Sequence, residues 1–292
     1  MMLQVLANIL YLASAIFLVA LSFSLIFSTA RFFHFAHAAV ITVATYVSFA
    51  LLTGCDVPLP ISMVIGVLAS AWLGWCLERL VYRPMRNSGT SPLILLLASL
   101  GLYIVLQNIV ALLFGDDTKM ITGPAVASTV SIFGAKLTDV QMAVIATAVA
   151  VLLTKIYLVD KSRVGLSLRA VAADPELAKV SGIEFDRAMG VAFFLGSFLA
   201  GVAGVFRALD VGMTPTMGLP MLLLGVVAVI LGGEGRTLGV AIASVLLAFF
   251  QQLASWKFGT HWEEAAAFLL LLAFLLWRPQ GILGKTLKKA TV

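Results

Sequence analysis

Long uninterrupted apolar runs constrain this chain more than any other feature. Residues 6–27 carry no charge at all, and about 20 apolar residues are what an α-helix needs to cross the hydrocarbon core of a bilayer. Further apolar runs follow at 37–52, 59–77, 93–114, 140–159, 188–209, 219–231, 238–254 and 265–277. Within lipid a segment must satisfy its own backbone hydrogen bonds, so such runs become helices. The chain is 61% hydrophobic and 11% charged. Soluble domains are roughly half apolar and a quarter charged, and a water-soluble fold could not hide this excess. The reading is all-α: one polytopic transmembrane helical bundle spanning residues 1–292, with about eight to ten crossings. The runs 37–52, 219–231 and 265–277 are short, and segments of that length can be re-entrant or half-helices. The first run lacks a basic leader and is long enough to span, so it is expected to be a retained helix rather than a cleaved signal.

Charge gives the bundle a direction. With nine crossings, all but four of the 19 Lys and Arg residues fall on the face that carries the C-terminal tail. Lys119, Lys136, Arg207 and Lys257 are the four on the other face. Basic loops stay in the cytoplasm, which puts the C-terminus inside and the N-terminus outside. The net charge of +5 is spread over these short loops, which argues against nucleic acid as a partner and for lipid as the surroundings.

Most chemical classes find little support. Cys55 and Cys76 have no metal or redox spacing. His34 and His37, three apart, could share one helix face as metal ligands, but no carboxylate or cysteine completes a site, and packed or hydrogen-bonded histidines are the expectation. The middles of the runs hold no ionisable residue. Glu78 and Arg79 fall at a cytoplasmic end, Arg207 and Asp210 at an outer end, and Glu263 and Glu264 at an outer boundary. A proton-coupled carrier ordinarily needs an interior relay, and a membrane enzyme needs acid–base groups or a metal, so no catalytic residue and no cofactor is assigned. The glycine cluster 232–237 lacks the lysine and the spacing of a phosphate-binding loop. The row Gly196, Ala200, Gly204 is the small-xxx-small pattern of close helix packing. Phe35, His37, Thr42, Thr45, Ser99 and Gln107 are the candidates to line a solute path, although polar groups within spans also bond one another or backbone carbonyls.

The loop 160–187 stands apart. Asp174 suits an N-cap, Pro175 the first helical position, and Glu176 the positive end of the helix dipole. Leu177, Ala178 and Val180 supply a small apolar face, and Gly182 suits the left-handed position that ends a helix. Residues 174–182 therefore read as a capped helix of about two turns, preceded by a helical stretch at 166–172 that carries Arg169. Such a helix could seat in a groove of another protein and pass a push into the spans it connects. It could also simply rest on the membrane surface.

Several separated stretches carry a family resemblance. His34-Phe35-Ala36-His37-Ala38 is similar to an Asn-Phe-Ala-His-Gly motif, departing at His34 and Ala38. The run from Arg169 through Asp174, Pro175, Glu176, Leu177 and Ala178, closing with Ser181-Gly182-Ile183, resembles a coupling loop closely. Residues 194–204, Val229-Ile230-Leu231-Gly232-Gly233 and Arg278-Pro279-Gln280-Gly281-Ile282 also fit, while Glu234 and Arg236 replace what is often a Gly-Ser-like turn. Together these resemble the permease subunits of bacterial ABC importers for branched-chain amino acids and related compounds, nearer to the first of the two permease types. The resemblance implies an inner-membrane subunit whose 174–182 helix, with Arg169 and Ile183, docks on a separate cytoplasmic ATPase. It also implies a second, homologous permease and an extracytoplasmic solute-binding protein, with ATP hydrolysis on the partner and not on this chain. Relatives carry leucine, isoleucine and valine, or urea and amides. The alternative is a secondary carrier working alone on a small neutral solute such as urea or an amide.

Overall fold

A computed structural model describes residues 2–121, 128–132, 134–278 and 280–283. The Gly123-Pro124 pair, whose sequence reads as a turn, lies outside these residues. All nine apolar runs are helical. They form α1 (Met2–Ala30), α2 (Ala36–Gly54), α3 (Leu59–Leu77), α5 (Pro92–Phe114), α6 (Asp139–Thr154), α9 (Phe185–Val211), α10 (Gly218–Gly232), α11 (Thr237–Phe258) and α12 (Glu263–Trp277). Among the described residues the short α-helices are α4 (Arg83–Asn87), α7 (Arg163–Ala173) and α8 (Pro175–Val180). Among the described residues eight helical segments are long and apolar enough to cross a membrane, and α10 is a shorter ninth.

Local chemistry sets the ends. Thr138 and Gln141 form a reciprocal capping box at the start of α6. Pro92 occupies the first turn of α5, where its missing N–H costs nothing. Helices α5, α9, α10 and α11 each stop at a glycine with positive φ. Between α3 and α4 the backbone widens into a π-helical turn, Glu78–Tyr82. Pro84 lies just beyond it and cannot donate to the carbonyl four residues back, which loosens the ladder there.

Helices α1, α2 and α9 make the centre, while α5, α6 and α12 lie at the periphery with apolar side chains turned outward. Small residues let the central helices touch. A Cβ on Gly201 would lie 2.1 Å from Ser70 Oγ, one on Gly66 2.0 Å from Ser48 Oγ, and one on Gly204 2.7 Å from the Ile41 carbonyl oxygen. The expected small-residue row on α9 is thus a packing seam against α1 and α2.

Two helices begin inside the bundle. After α1 the chain turns at Arg31, φ 55°, and climbs back, so that the Phe35 amide donates to Ser99 Oγ at 3.1 Å and His37 meets Ser22 at 2.9 Å. Ser22 is eight residues before the end of α1, about 12 Å deep at 1.5 Å per residue. Similarly α10 starts against α2: a Cβ on Gly218 would lie 2.0 Å from the Ala38 carbonyl oxygen. Residues 212–217 lead down to it from the far face, where Lys119 and Met213 exchange backbone hydrogen bonds of 2.9 and 2.8 Å.

The far face also carries an antiparallel hairpin, β1 (Thr129–Ile132) and β2 (Ala135–Thr138), with Thr129 opposite Thr138 and Ile132 opposite Ala135. The start of α1 is tied to it. Gln4 Nε2 donates to the Lys136 carbonyl at 3.0 Å, and Gln4 Oε1 accepts from the Lys136 amide at 2.8 Å. The other end of α1 meets the 160–187 loop, so α1 runs the full depth of the bundle.

Candidate functional site

The loop 160–187 folds as two consecutive helices set by their caps. Ser162 Oγ accepts from the Gly165 amide at 3.0 Å and starts α7. Asp174 Oδ1 accepts from the Glu176 and Leu177 amides at 3.0 and 3.1 Å and starts α8. Gly182, φ 81°, ends α8, with its amide bonded to the Lys179 carbonyl and that of Ile183 to the Ala178 carbonyl. Arg169, on α7, donates to the Asp160 carbonyl and closes the base of the loop.

The apolar residues of α8 divide between two sides. Ala178 is 3% exposed and packs with Leu168, Val171, Ala188 and Ala192 in a small core of its own. Leu177 is 63% exposed and Val180 86%. The short apolar face expected from the sequence is therefore not a face resting on this chain. One residue anchors the helix and two are presented outward. Beside them, a cleft of about 570 Å³ is lined by Arg83, Arg86, Lys179, Phe185, Asp186 and Arg187.

Three features connect this surface to the bundle. Arg31 Nη2 donates to the carbonyls of Ala172 and Ala173 at 2.5 and 3.2 Å, fastening the end of α7 to the turn after α1. Arg86 bridges Glu78 at 2.7 Å and Asp186 at 3.2 Å, and Arg83 reaches Asp186 at 2.9 Å. This joins α3 and α4 to the start of α9. Thirdly, Tyr82 hydrogen-bonds His34 Nδ1 at 3.1 Å, and the His34 ring lies 5.7 Å from that of His37. Both histidines are fully buried, each with one ring nitrogen hydrogen-bonded and the other, His34 Nε2 and His37 Nδ1, without a partner among the described residues. Sequence reasoning placed Glu78 at a helix end but gave no sign of its burial, because its partner Arg86 follows the π-helical turn and is off the usual helical spacing. The role of Arg31 had no local signal either.

Five of the six candidate path residues lie on or against the first half of α2. Phe35 and Ser99 share a hydrogen bond, His37 pairs with Ser22, and Thr42 Oγ1 donates to the Ala38 carbonyl at 3.2 Å. Thr45 Oγ1 donates to the Thr42 carbonyl at 2.7 Å and touches Met217 Sδ at 3.9 Å. Gln107 stays half-buried along α5 and hydrogen-bonds none of the other five. The hydroxyls are largely occupied by backbone carbonyls, so the cluster braces the buried starts of α2 and α10.

Comparison with known proteins fits this architecture. A family described as the permease component of the branched-chain amino acid transport system matches residues 5–276. The high-affinity branched-chain amino acid transport system permease protein LivH of Escherichia coli (strain K12) is 33% identical over 298 residues, covering 97% of this chain and 96% of its own length. BraD of Pseudomonas aeruginosa, described in the same words, is 29% identical with the same coverage. Among solved structures, PsaBC from Streptococcus pneumoniae in complex with Fab shares the fold, with a TM-score of 0.52 at 13% identity and coverage of 95% of this chain and 93% of that one.

Proposed function

The chain belongs to the family of branched-chain amino acid transport permease components, and from that premise we propose that it is the membrane-spanning subunit of an ATP-driven importer. It would take a branched-chain amino acid or a related small solute from an extracytoplasmic binding protein and pass it to the cytoplasm. A second, homologous permease completes the pore in this reading, and ATP is hydrolysed on separate subunits. The basic face and the C-terminus lie in the cytoplasm.

The observation that carries the proposal is helix α8. It is capped at both ends, anchored through Ala178, and presents Leu177 and Val180 to the outside. Apolar side chains held outward on a rigid short helix suit a groove on a partner better than they suit water. The arginine ties to α1, α3 and α9 give a push on α8 a route into the spans.

Capture of a branched-chain amino acid importer ATPase tests the reading. Val180→Glu and Leu177→Glu should each weaken capture about tenfold, the equivalent of roughly 1.4 kcal/mol, and cut ATP-dependent uptake in parallel. Thermal unfolding should change little, because both side chains are mostly exposed. Unchanged capture would remove the docking role. Uptake driven by an ion gradient in liposomes holding this chain alone would instead favour a secondary carrier.

A further inference from the structure

The far face carries a cavity of about 560 Å³ between α1, α9, α10, α11 and the start of α12. Its lining combines three chemistries. The wall is apolar, with Ile16, Val19 and Leu224 among its members. Arg207, Glu263 and Glu264 contribute one cation and two carboxylates, and among the described residues none of the three forms an ion pair. Gln251 also lines it, only 2% exposed, with its Oε1 buried and without a hydrogen-bond partner. The neighbouring Asp210 is already committed, accepting from Tyr11 at 2.6 Å and from Gln141 at 3.3 Å.

A buried amide oxygen without a donor costs free energy that a ligand N–H can recover. A simple anion would satisfy only Arg207, and a simple cation only the carboxylates. An apolar solute would leave Gln251 as it is. A neutral amide or urea would satisfy Gln251 but make no use of the charges. One class answers all of these together: a free α-amino acid with an apolar side chain. We infer that this cavity is an outward-facing binding site for such an amino acid. Arg207 receives the carboxylate, Glu263 or Glu264 with Gln251 Oε1 receives the ammonium, and the side chain lies on the apolar wall. The volume is within the roughly 300–1,000 Å³ usual for small-ligand sites.

The position suits a first station on a path. Met217 lines the cavity and contacts Thr45, so the space ends on the buried cluster where α2 and α10 begin. The paired backbone bonds between Lys119 and Met213 hold the nearby rim. The inference rests on the importer reading, since it gives the chain its own contact with the solute after delivery.

The test is equilibrium binding to the full chain in lipid nanodiscs, with L-leucine as the probe. Leucinamide, which lacks the carboxylate, and 4-methyl-2-hydroxypentanoate, which lacks the ammonium, serve as competitors. Arg207→Gln should weaken L-leucine about tenfold, in line with loss of one charge-assisted hydrogen-bond pair, and should erase the preference over leucinamide. Glu263→Gln with Glu264→Gln should erase the preference over the hydroxy acid. Gln251→Leu should weaken L-leucine and leucinamide alike. No binding of L-leucine, affinity unmoved by all these variants, or acetamide binding as tightly as L-leucine would each overturn the assignment. Binding is read on this chain alone, so those results leave the docking reading to stand or fall on ATPase capture.

Discussion

Glu78 is a single acidic side chain, 2% exposed, at the boundary between an apolar helix and the basic face. Its charge is tolerable because Arg86 reaches it at 2.7 Å and itself holds Asp186. Removing one partner of a buried pair leaves an uncompensated charge, which costs about 3–5 kcal/mol. Arg86→Ala should therefore lower the thermal unfolding midpoint sharply, and adding Glu78→Gln should restore most of it, because the amide no longer needs a cation. A midpoint in the double variant as low as in the single one would show that Arg86 acts mainly through Asp186. The sequence could place Glu78 at a helix end, yet burial here depends on helix α9 returning more than a hundred residues later. The same limit applies to Gln251. Nothing near it in the chain says that its amide is enclosed, and only the folded arrangement of α1, α10 and α12 makes it conspicuous.

At the level of elements the sequence was far more informative. Each apolar run became a helix, with ends within a few residues of those expected, because long runs in lipid have only one way to satisfy their backbone. Helix α8 was legible for a different reason. Asp174, Pro175 and Gly182 are local signals whose effect does not wait for tertiary structure. What stayed hidden was depth. Helices α2 and α10 start inside the bundle because of contacts with α1, α5 and each other, and the hairpin at 129–138 is too short to register as a pattern. The link between α7 and α1 was hidden likewise, and it yields a prediction. Arg31→Ala removes two charge-assisted hydrogen bonds to the Ala172 and Ala173 carbonyls. Amide exchange across 163–183 should quicken while the spans stay protected. Coupled uptake should fall with ATPase capture retained, since Leu177 and Val180 are untouched. Exchange unchanged in that segment would show that α7 is held by its apolar core alone.

For the molecule as a whole the decisive property is sidedness. The structure makes the two faces distinct, since α1 has one end on the hairpin at Lys136 and the other on the carbonyls of α7. Which face meets the cytoplasm comes from the charge bias, a property of insertion rather than of packing. The chain carries its own reporter. Cys55 is exposed just beyond the end of α2, on the face of the hairpin and the Arg207 cavity. Cys76 lies near the end of α3, towards the basic face. In right-side-out vesicles a membrane-impermeant maleimide should label Cys55 in a Cys76→Ala chain without permeabilisation. With both cysteines replaced, Lys161→Cys, exposed on the 160–187 loop, should label only once the vesicles are opened. The reverse pattern would invert the bundle. It would put α8 on the side that holds no ATP, and the cavity beneath Arg207 would face the cytoplasm instead of an incoming solute. Direction, docking and the outward cavity therefore stand on one topology, and these two thiols read it directly.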